Sequence, residues 1–188
     1  MYVLYCNAFL CSKQKLVNVI SKSNLQWPIM KILVTVGTTS FDTLIQFLDE
    51  FVSSNNYEFI FQIADGIYIP KNHEYFRFDN NLWEKYKDTF VITHCGAGSF
   101  YYLLEQHIKF IGVPNLERVD QHQTDIANFV RSENLSTICF DFEELGQELS
   151  SQHFLFFVSK PYEKDSFFKG CEISKLISCN LNIKGKVL

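Results

Sequence analysis

Residues 91–123 read VITHCGAGSFYYLLEQHIKFIGVPNLERVDQHQ, and this stretch decides how the rest of the chain is interpreted. The apolar run at residues 90–92 predicts a buried strand, and apolar side chains at Phe100, Leu103 and Leu104 have helical spacing. Between them lies HCGAGS, residues 94–99, which predicts a glycine-rich turn. A strand, a glycine-rich turn and a helix together place backbone N–H groups where they can bind an anion.

The side chains of this turn suggest what the anion is. Gly96 and Gly98 carry no Cβ, so they can adopt positive φ and allow a ligand to approach the backbone closely. Ser99 is predicted at the N-cap of the helix, where its hydroxyl can cap the helix or bind a phosphate oxygen. We therefore expect the turn, with His94 and Ala97, to hold the diphosphate of a nucleotide. The alternatives are a purely structural tight turn and, for His94, a hydrogen bond within the sheet edge.

A second polar loop follows the next predicted strand. That strand, residues 110–113, stops at Pro114-Asn115, and a helical stretch is predicted from Thr124 to Glu133. Asp120, His122 and Gln123 precede this helix. In open α/β sheets ligands bind at the carboxyl ends of the strands, so the two loops predict one site. An ordinary solvated helix start is the alternative for His122 and Gln123.

Composition bounds the classes of protein that remain. The 188 residues, 47% of them hydrophobic, suffice for one α/β domain with a substantial core but not for two. The net charge of −4 without a basic cluster argues against a nucleic acid partner. The six cysteines show no C-x-x-C pair, which favours a reduced, cytosolic setting. No run approaches the ~18 apolar residues of a membrane span. No D-x-D-like carboxylate pair lies in a plausible place, so no metal is expected. No cofactor is expected.

The order of the predicted elements gives the architecture. Strands are expected at residues 32–36, 59–63, 75–78, 90–92, 110–113 and 136–140, and helices at 41–52, 82–87, 100–104, 124–133 and 142–149. This alternation predicts a Rossmann-like parallel sheet with helices on both faces. Residues 1–29 are interpreted as an N-terminal extension, with Met30 as a possible natural start. Residues 30–150 form the domain, and the aromatic-rich residues 151–188 pack on it or on a partner.

Three motifs in sequence order resemble a known family. Gly37-Thr38-Thr39 after the first strand, the turn at residues 94–99, and Asp120-x-His122-Gln123 are similar to the C-terminal domain of family 28 glycosyltransferases, over roughly residues 30–150. The likeness is greatest to the stand-alone versions of that domain. These are the catalytic subunit of the eukaryotic enzyme that adds the second N-acetylglucosamine to dolichyl-diphosphate-GlcNAc, and bacterial capsule and exopolysaccharide subunits.

The resemblance implies a fold, an activity and a partner. The fold would be the donor-binding half of a GT-B glycosyltransferase. The activity would be inverting transfer of a sugar, of the GlcNAc, galactose or glucuronate class, from a UDP-sugar donor to a lipid-linked acceptor. A membrane-associated subunit would supply the acceptor-binding half and the general base, with His94 the candidate for a catalytic group in this chain. The protein would work in the cytoplasm, at the cytosolic face of a membrane reached through that partner.

The resemblance also assigns roles to individual residues. Gly37, Thr38 and Thr39 would face the interdomain cleft, although Thr38 and Thr39 could instead cap the first helix. Gly96, Ala97, Gly98 and Ser99 would cradle the diphosphate beside His94. Asp120, His122 and Gln123 would contact the donor sugar, with Asn115 in the same loop.

The chain departs from the family pattern at two positions. Tyr102 stands where many relatives have a Glu that holds the ribose hydroxyls, and His107 replaces the glycine that usually ends that helix. A subunit that keeps the fold and the interface but binds donor poorly is therefore a second hypothesis. A nucleotide-sugar epimerase-like enzyme is disfavoured, because Gly37-Thr38-Thr39 is not a G-x-G-x-x-G turn.

Overall fold

A parallel six-stranded sheet forms the centre of the protein in the computed structural model, which describes residues 29–53, 57–117 and 122–163. The strands are β1 (Met30–Thr35), β2 (Tyr57–Gln62), β3 (Glu74–Phe76), β4 (Phe90–His94), β5 (Phe110–Val113) and β6 (Thr137–Ile138). The helices are α1 (Asp42–Asp49), α2 (Leu82–Lys85), α3 (Ala97–Glu105), α4 (His122–Ser132) and α5 (Phe142–Ser151), followed by a 3₁₀ helix (His153–Phe156). Every strand pair is parallel, as the sequence predicted.

Helices cover both faces of the sheet, which confirms the predicted architecture. Successive side chains of a strand point to opposite faces, and in β1 Ile32 and Val34 join one apolar cluster while Leu33 joins the other. The first cluster contains buried side chains of α1 and α5, and the second contains those of α2, α3 and α4. A strand buried on both faces needs a continuous apolar sequence, and this is why the strands of the chain do not alternate.

The strand order places a crevice at the centre of the sheet. The order is β3-β2-β1-β4-β5-β6, so the chain runs outward from β1 to β3 and then returns to β4 on the other side of β1. The chain leaves β1 for α1 on one face and leaves β4 for α3 on the other. Such a reversal opens a ligand crevice at the carboxyl ends of the two strands.

Helix α1 is shorter than the sequence predicted. The apolar spacing extended it to Val52, but the helix ends at Asp49 and Val52 is 93% exposed. The side-chain amide of Asn72 donates to the Asp49 carbonyl at 2.9 Å, and the Phe51 N–H bonds back to the Leu48 carbonyl at 3.3 Å. These contacts use carbonyls that a continuing helix would need, so the last predicted turn does not form.

Other element bounds differ from the predictions by a few residues. Strand β3 begins and ends earlier than residues 75–78, α2 stops at Lys85, and β6 contains two of the five residues expected at 136–140. Helix α4 begins two residues before Thr124, so His122 and Gln123 belong to its first turn. Helix ends fray and carry little pattern of their own, which is why their positions are the least determined by sequence.

The segment after α5 crosses the amino ends of the strands. Phe154 is buried against Phe90, with ring centroids 4.6 Å apart, and Tyr162 lies near Tyr101 at 6.3 Å. Phe156 and Val158 are exposed between them. Part of the predicted aromatic segment therefore packs on its own domain, while residues 164–188 and the predicted extension before residue 29 lie outside the described residues. No helix in the described ranges has the length and apolar character needed to cross a membrane.

Candidate functional site

An open cleft of about 350 Å³ lies at the carboxyl ends of β1 and β4. Residues from three separate parts of the sequence meet there. The lining consists of Gly37, Thr38, Thr39, His94, Gly96, Ala97, Gly98, Ser99 and Gln123. Each of these was a candidate from the sequence, and the crevice of the doubly wound sheet brings them together.

The start of α3 supplies backbone donors to this cleft. Gly96 is the N-cap, with φ −75° and ψ 130°, and the first intrahelical bond runs from the Phe100 N–H to the Gly96 carbonyl at 3.0 Å. The N–H groups of Ala97, Gly98 and Ser99 precede that bond, so they are the donors that a helix leaves for a ligand.

One prediction about this turn was wrong. Ser99 is the third residue of α3 and not its N-cap, because the chain already enters the helix after Gly96. Gly96 and Gly98 do not use positive φ, which among the described glycines occurs at Gly37, with φ +66°.

Packing around His94 explains two of the three glycines. The His94 imidazole is 8% exposed and lines the cleft. A Cβ at Gly96 would collide with its ring, and one at Gly37 would lie 2.8 Å from its Cε1 atom. At Gly98, in contrast, a Cβ would meet no atom within 4 Å. The absence of a side chain at Gly98 therefore leaves open space at the helix start.

The charge distribution favours an anion at α3 over the other helix starts. Asp42, Glu84 and Asp125 lie in the first turns of α1, α2 and α4, and two glutamates lie in that of α5. Among the described α-helices, α3 alone has no acidic side chain in its first turn. Since the N-terminal end of a helix carries partial positive charge, this end is the one left for a ligand to neutralise.

Buried polar side chains at the strand ends hold the loop after β1 in place. The Gly37 N–H donates to Thr35 Oγ1 at 3.2 Å, and Gln62 Nε2 donates to the Gly37 carbonyl at 2.9 Å. The Thr93 hydroxyl lies 3.0 Å from the Thr35 carbonyl and joins β4 to β1. These three residues were not predicted from the sequence, although their signal was present: each is a polar residue that directly follows a run of apolar residues in its strand.

The first turn of α4 contributes Gln123, whose side chain is held in a defined orientation. Its Oε1 accepts the Asn115 backbone N–H at 2.9 Å, and both residues are buried. Because a backbone N–H can only donate, the oxygen of the carboxamide must be the atom that faces it, and Nε2 is left as the group that can donate to a ligand. Asn115 therefore acts through Gln123.

None of the other candidates is among the described residues that line the cleft. His122 is exposed in the first turn of α4 and does not line the cleft, and Asp120 lies outside the described residues. Tyr102 is one turn beyond Ser99 on α3 and stacks on Trp83, with ring centroids 5.1 Å apart and planes at 20°. The N-cap of α1 is Phe41, with no side-chain capping bond, so Thr38 and Thr39 do not cap that helix.

The titratable groups of the described residues offer little nucleophilic or metal chemistry. Burial, and secondarily the nearby Cys139, raises the pKa of the Cys95 thiol far above its ordinary value. Cys95 is therefore a neutral, inert thiol beside the turn. Within the ranges that the structure describes, no cluster of three or more His, Cys, Asp or Glu side chains is arranged to hold a metal ion.

Comparison with known proteins identifies the family to which this geometry belongs. The model of the "Glycosyltransferase family 28 C-terminal domain" matches residues 31–165, well over half of the chain. The chain belongs to this family. The match continues past residue 150 into the aromatic segment and so includes the 3₁₀ helix.

Two curated relatives and one solved structure show the extent of the likeness. The chain is 31% identical over 123 residues to the human "UDP-N-acetylglucosamine transferase subunit ALG13" and 30% identical over 121 residues to the mouse protein. The aligned parts are 57% and 56% of this chain but only 11% and 10% of those relatives, so it spans about a tenth of their length. A crystal structure of MurG from Acinetobacter baumannii has a TM-score of 0.52 at 18% identity and covers 68% of this chain and 42% of that one. The fold is thus the Rossmann-like half of a GT-B glycosyltransferase.

Proposed function

We propose that the protein is the donor-binding catalytic subunit of an inverting glycosyltransferase. It would bind a UDP-sugar of the GlcNAc, galactose or glucuronate class. The sugar would pass to a lipid-linked acceptor that a membrane-associated subunit presents at the cytosolic face of a membrane. The human and mouse relatives are named as subunits of a UDP-N-acetylglucosamine transferase, which supports both the donor class and the need for a partner.

One observation carries the proposal: the cleft joins an unneutralised helix start to a carboxamide of fixed orientation. The α3 start offers N–H groups to a diphosphate, and Gln123 offers its Nε2 to a hydroxyl. In sugar transfer from a nucleotide, negative charge develops on the leaving diphosphate. Donors that are already oriented toward it stabilise that charge without reorganisation, and this is the chemistry for which the α3 start is suited.

The binding energy requires more than the cradle. A helix start contributes about 0.3–1 kcal/mol to binding one anion, and about 2 kcal/mol when the site is partly buried. Micromolar affinity requires about 8 kcal/mol. Contacts to the nucleoside and the sugar must therefore supply most of the affinity, and we assign the sugar contacts to Gln123, with Asp120 as a further candidate that lies outside the described residues.

The acceptor hydroxyl needs a general base in the transition state. His94 is the only imidazole among the described residues that line the cleft, but its ring is buried between Gly37 and Gly96. Its packing suits a positioning role better than proton abstraction from an acceptor in the open cleft. We therefore assign the general base to the partner subunit.

Titration calorimetry on the full chain tests the donor assignment. UDP, UDP-GlcNAc, UDP-galactose and UDP-glucuronate would each be titrated with and without a co-expressed membrane subunit, with GDP as the matched nucleotide control. We expect UDP and one UDP-sugar to bind and GDP to bind at least tenfold more weakly. Equal binding of GDP and UDP would contradict the assignment of a UDP-sugar donor.

A subunit that retains the fold but binds donor poorly is the second candidate, favoured by Tyr102. Where the family resemblance places a ribose-binding Glu, this chain presents an aromatic ring stacked on Trp83. A ring in that position offers no carboxylate to the ribose hydroxyls. Absence of UDP binding both with and without the partner, in protein whose fold is intact by circular dichroism, would favour this candidate.

A further inference from the structure

Three hydrogen bonds in series connect helix α1 to the Gln123 side chain. The Thr43 hydroxyl donates to Glu117 Oε1 at 2.8 Å, and the Glu117 N–H donates to Asn115 Oδ1 at 3.0 Å. The Asn115 N–H in turn donates to Gln123 Oε1 at 2.9 Å. The series begins on the helix that follows β1 and ends at a residue that lines the cleft.

The first bond of the series joins parts of the chain that are distant in sequence. Thr43 and Glu117 are 74 residues apart, and both are exposed, whereas Asn115 and Gln123 are buried. The bond between Thr43 and Glu117 therefore positions the loop after β5, and Asn115 in that loop fixes the Gln123 side chain. An exposed hydrogen bond is weak on its own, but this one acts on a loop that the Glu117–Asn115 and Asn115–Gln123 hydrogen bonds already hold.

Electrostatics favours the Glu117 carboxylate at this position. Helix α1 begins after Phe41, which supplies no side-chain capping bond. Through its bond to Thr43, the Glu117 carboxylate lies at the first turn of α1. Negative charge is favourable there, because the helix start carries partial positive charge. A residue from the loop after β5 thus adds to the negative charge that Asp42 already supplies in the first turn of α1.

We propose that Thr43 and Glu117 form a latch that orients the Gln123 carboxamide toward the sugar of the bound donor. Glu117 is then a positioning residue that affects affinity for the sugar and not for the diphosphate, which binds at the start of α3. This inference rests on the proposed function, since it assigns the sugar end of the same cleft. It predicts a difference between two ligands, UDP and UDP-GlcNAc, that share every other contact.

Amide hydrogen exchange in the ligand-free protein tests the latch itself. Glu117→Ala removes the acceptor, whereas Glu117→Gln and Thr43→Ser retain the two groups of the bond. Gln46→Ala is the matched control, because it deletes another exposed side-chain hydrogen bond on α1, the one to Glu50. We expect exchange at the Asn115 amide to be about fivefold faster in Glu117→Ala, as for loss of one ordinary hydrogen bond. The other three variants should exchange within about twofold of the unaltered chain, and equal exchange in Glu117→Ala would overturn the latch.

Calorimetry with the same variants tests its consequence for the ligand. In Glu117→Ala we expect UDP-GlcNAc to bind about fivefold more weakly and UDP to bind within about twofold of the unaltered chain. Glu117→Gln should restore UDP-GlcNAc affinity. Equal weakening of both ligands, or no recovery in Glu117→Gln, would overturn the positioning role. An unaltered chain that binds neither ligand would instead contradict the proposed function, and the exchange measurement would still decide whether the latch exists.

Discussion

Substitution of Gly98 by alanine separates the stability of the fold from the binding of the ligand. Gly98 is the second residue of α3, and a Cβ there would meet no atom within 4 Å. Alanine is more favourable than glycine in a helix by about 0.5–1 kcal/mol. Gly98→Ala should therefore fold normally, with a free energy of unfolding equal to or slightly above that of the unaltered chain.

Ligand binding should change in the opposite direction. Gly98 lines the cleft, so the new methyl group occupies the space in which a diphosphate would approach the N–H groups of α3. Losing one hydrogen bond to a charged group costs about 1.5–3 kcal/mol. That loss corresponds to UDP binding roughly 10- to 150-fold more weakly. Urea denaturation measures the free energy of unfolding, and titration calorimetry measures the affinity for UDP.

Gly146→Ala is the matched control for this experiment. Gly146 also lies inside a helix, α5, and its Cβ would make ordinary contacts at 3.6 Å with Phe47 and Phe51. The same glycine-to-alanine gain in helix stability is expected there, without any effect on UDP affinity. If Gly98→Ala is folded and binds UDP as tightly as Gly146→Ala does, the anion does not lie at the start of α3.

Three further predictions concern other parts of the domain. His107, at the end of α3, has φ +54°, in the left-handed region that favours glycine. His107→Gly should therefore raise the free energy of unfolding by about 1 kcal/mol in urea denaturation. An unchanged midpoint would contradict strain at this residue. Burial alone would raise the pKa of Asp49, but hydrogen bonds from Lys71, Asn72 and Tyr68 hold the pKa below its ordinary value. The stabilising contribution of this carboxylate should be present above the pKa of the unfolded chain and lost as the pH falls through the lowered pKa of the folded protein. Asp49→Asn should therefore flatten the acid limb of a pH–stability curve. Tyr102→Glu should tighten UDP binding about tenfold without improving the binding of 2′,3′-dideoxy-UDP, which lacks the ribose hydroxyls; equal effects on both ligands would place the ribose elsewhere.

The sheet was predictable because its strands are buried on both faces. Continuous apolar runs such as residues 110–113 have one stable placement in an α/β domain, and the structure has β5 with those bounds. The edge of the sheet at which a ligand would bind followed too, since polar and glycine-rich turns came directly after β4 and β5, which proved to be neighbours; the crevice itself opens between β1 and β4. The sequence pattern therefore predicted the arrangement of the elements and the edge of the sheet at which a ligand would bind.

Features that depend on side chains distant in sequence were not predictable in the same way. Asp49 ends α1 as a buried carboxylate because Tyr68, Lys71 and Asn72 donate to it at 2.8, 2.9 and 3.0 Å, and nothing in the helical pattern indicates those partners. The contact between Thr43 and Glu117 has the same character. Local periodicity reports which face of an element is buried, whereas a buried polar group is determined by whichever loop folds over it.

The three glycines around the cleft show why a motif alone does not establish a function. Gly37 is required by its positive φ, and Gly37 and Gly96 are both required by the His94 ring that packs between them. A fold with no ligand would need these two residues just as much. Gly98 has neither constraint, and it weakens the helix in which it lies. Of the three glycines, Gly98 is thus the one whose identity the packing does not explain and the proposed anion does, which is why its substitution is the decisive test of the site.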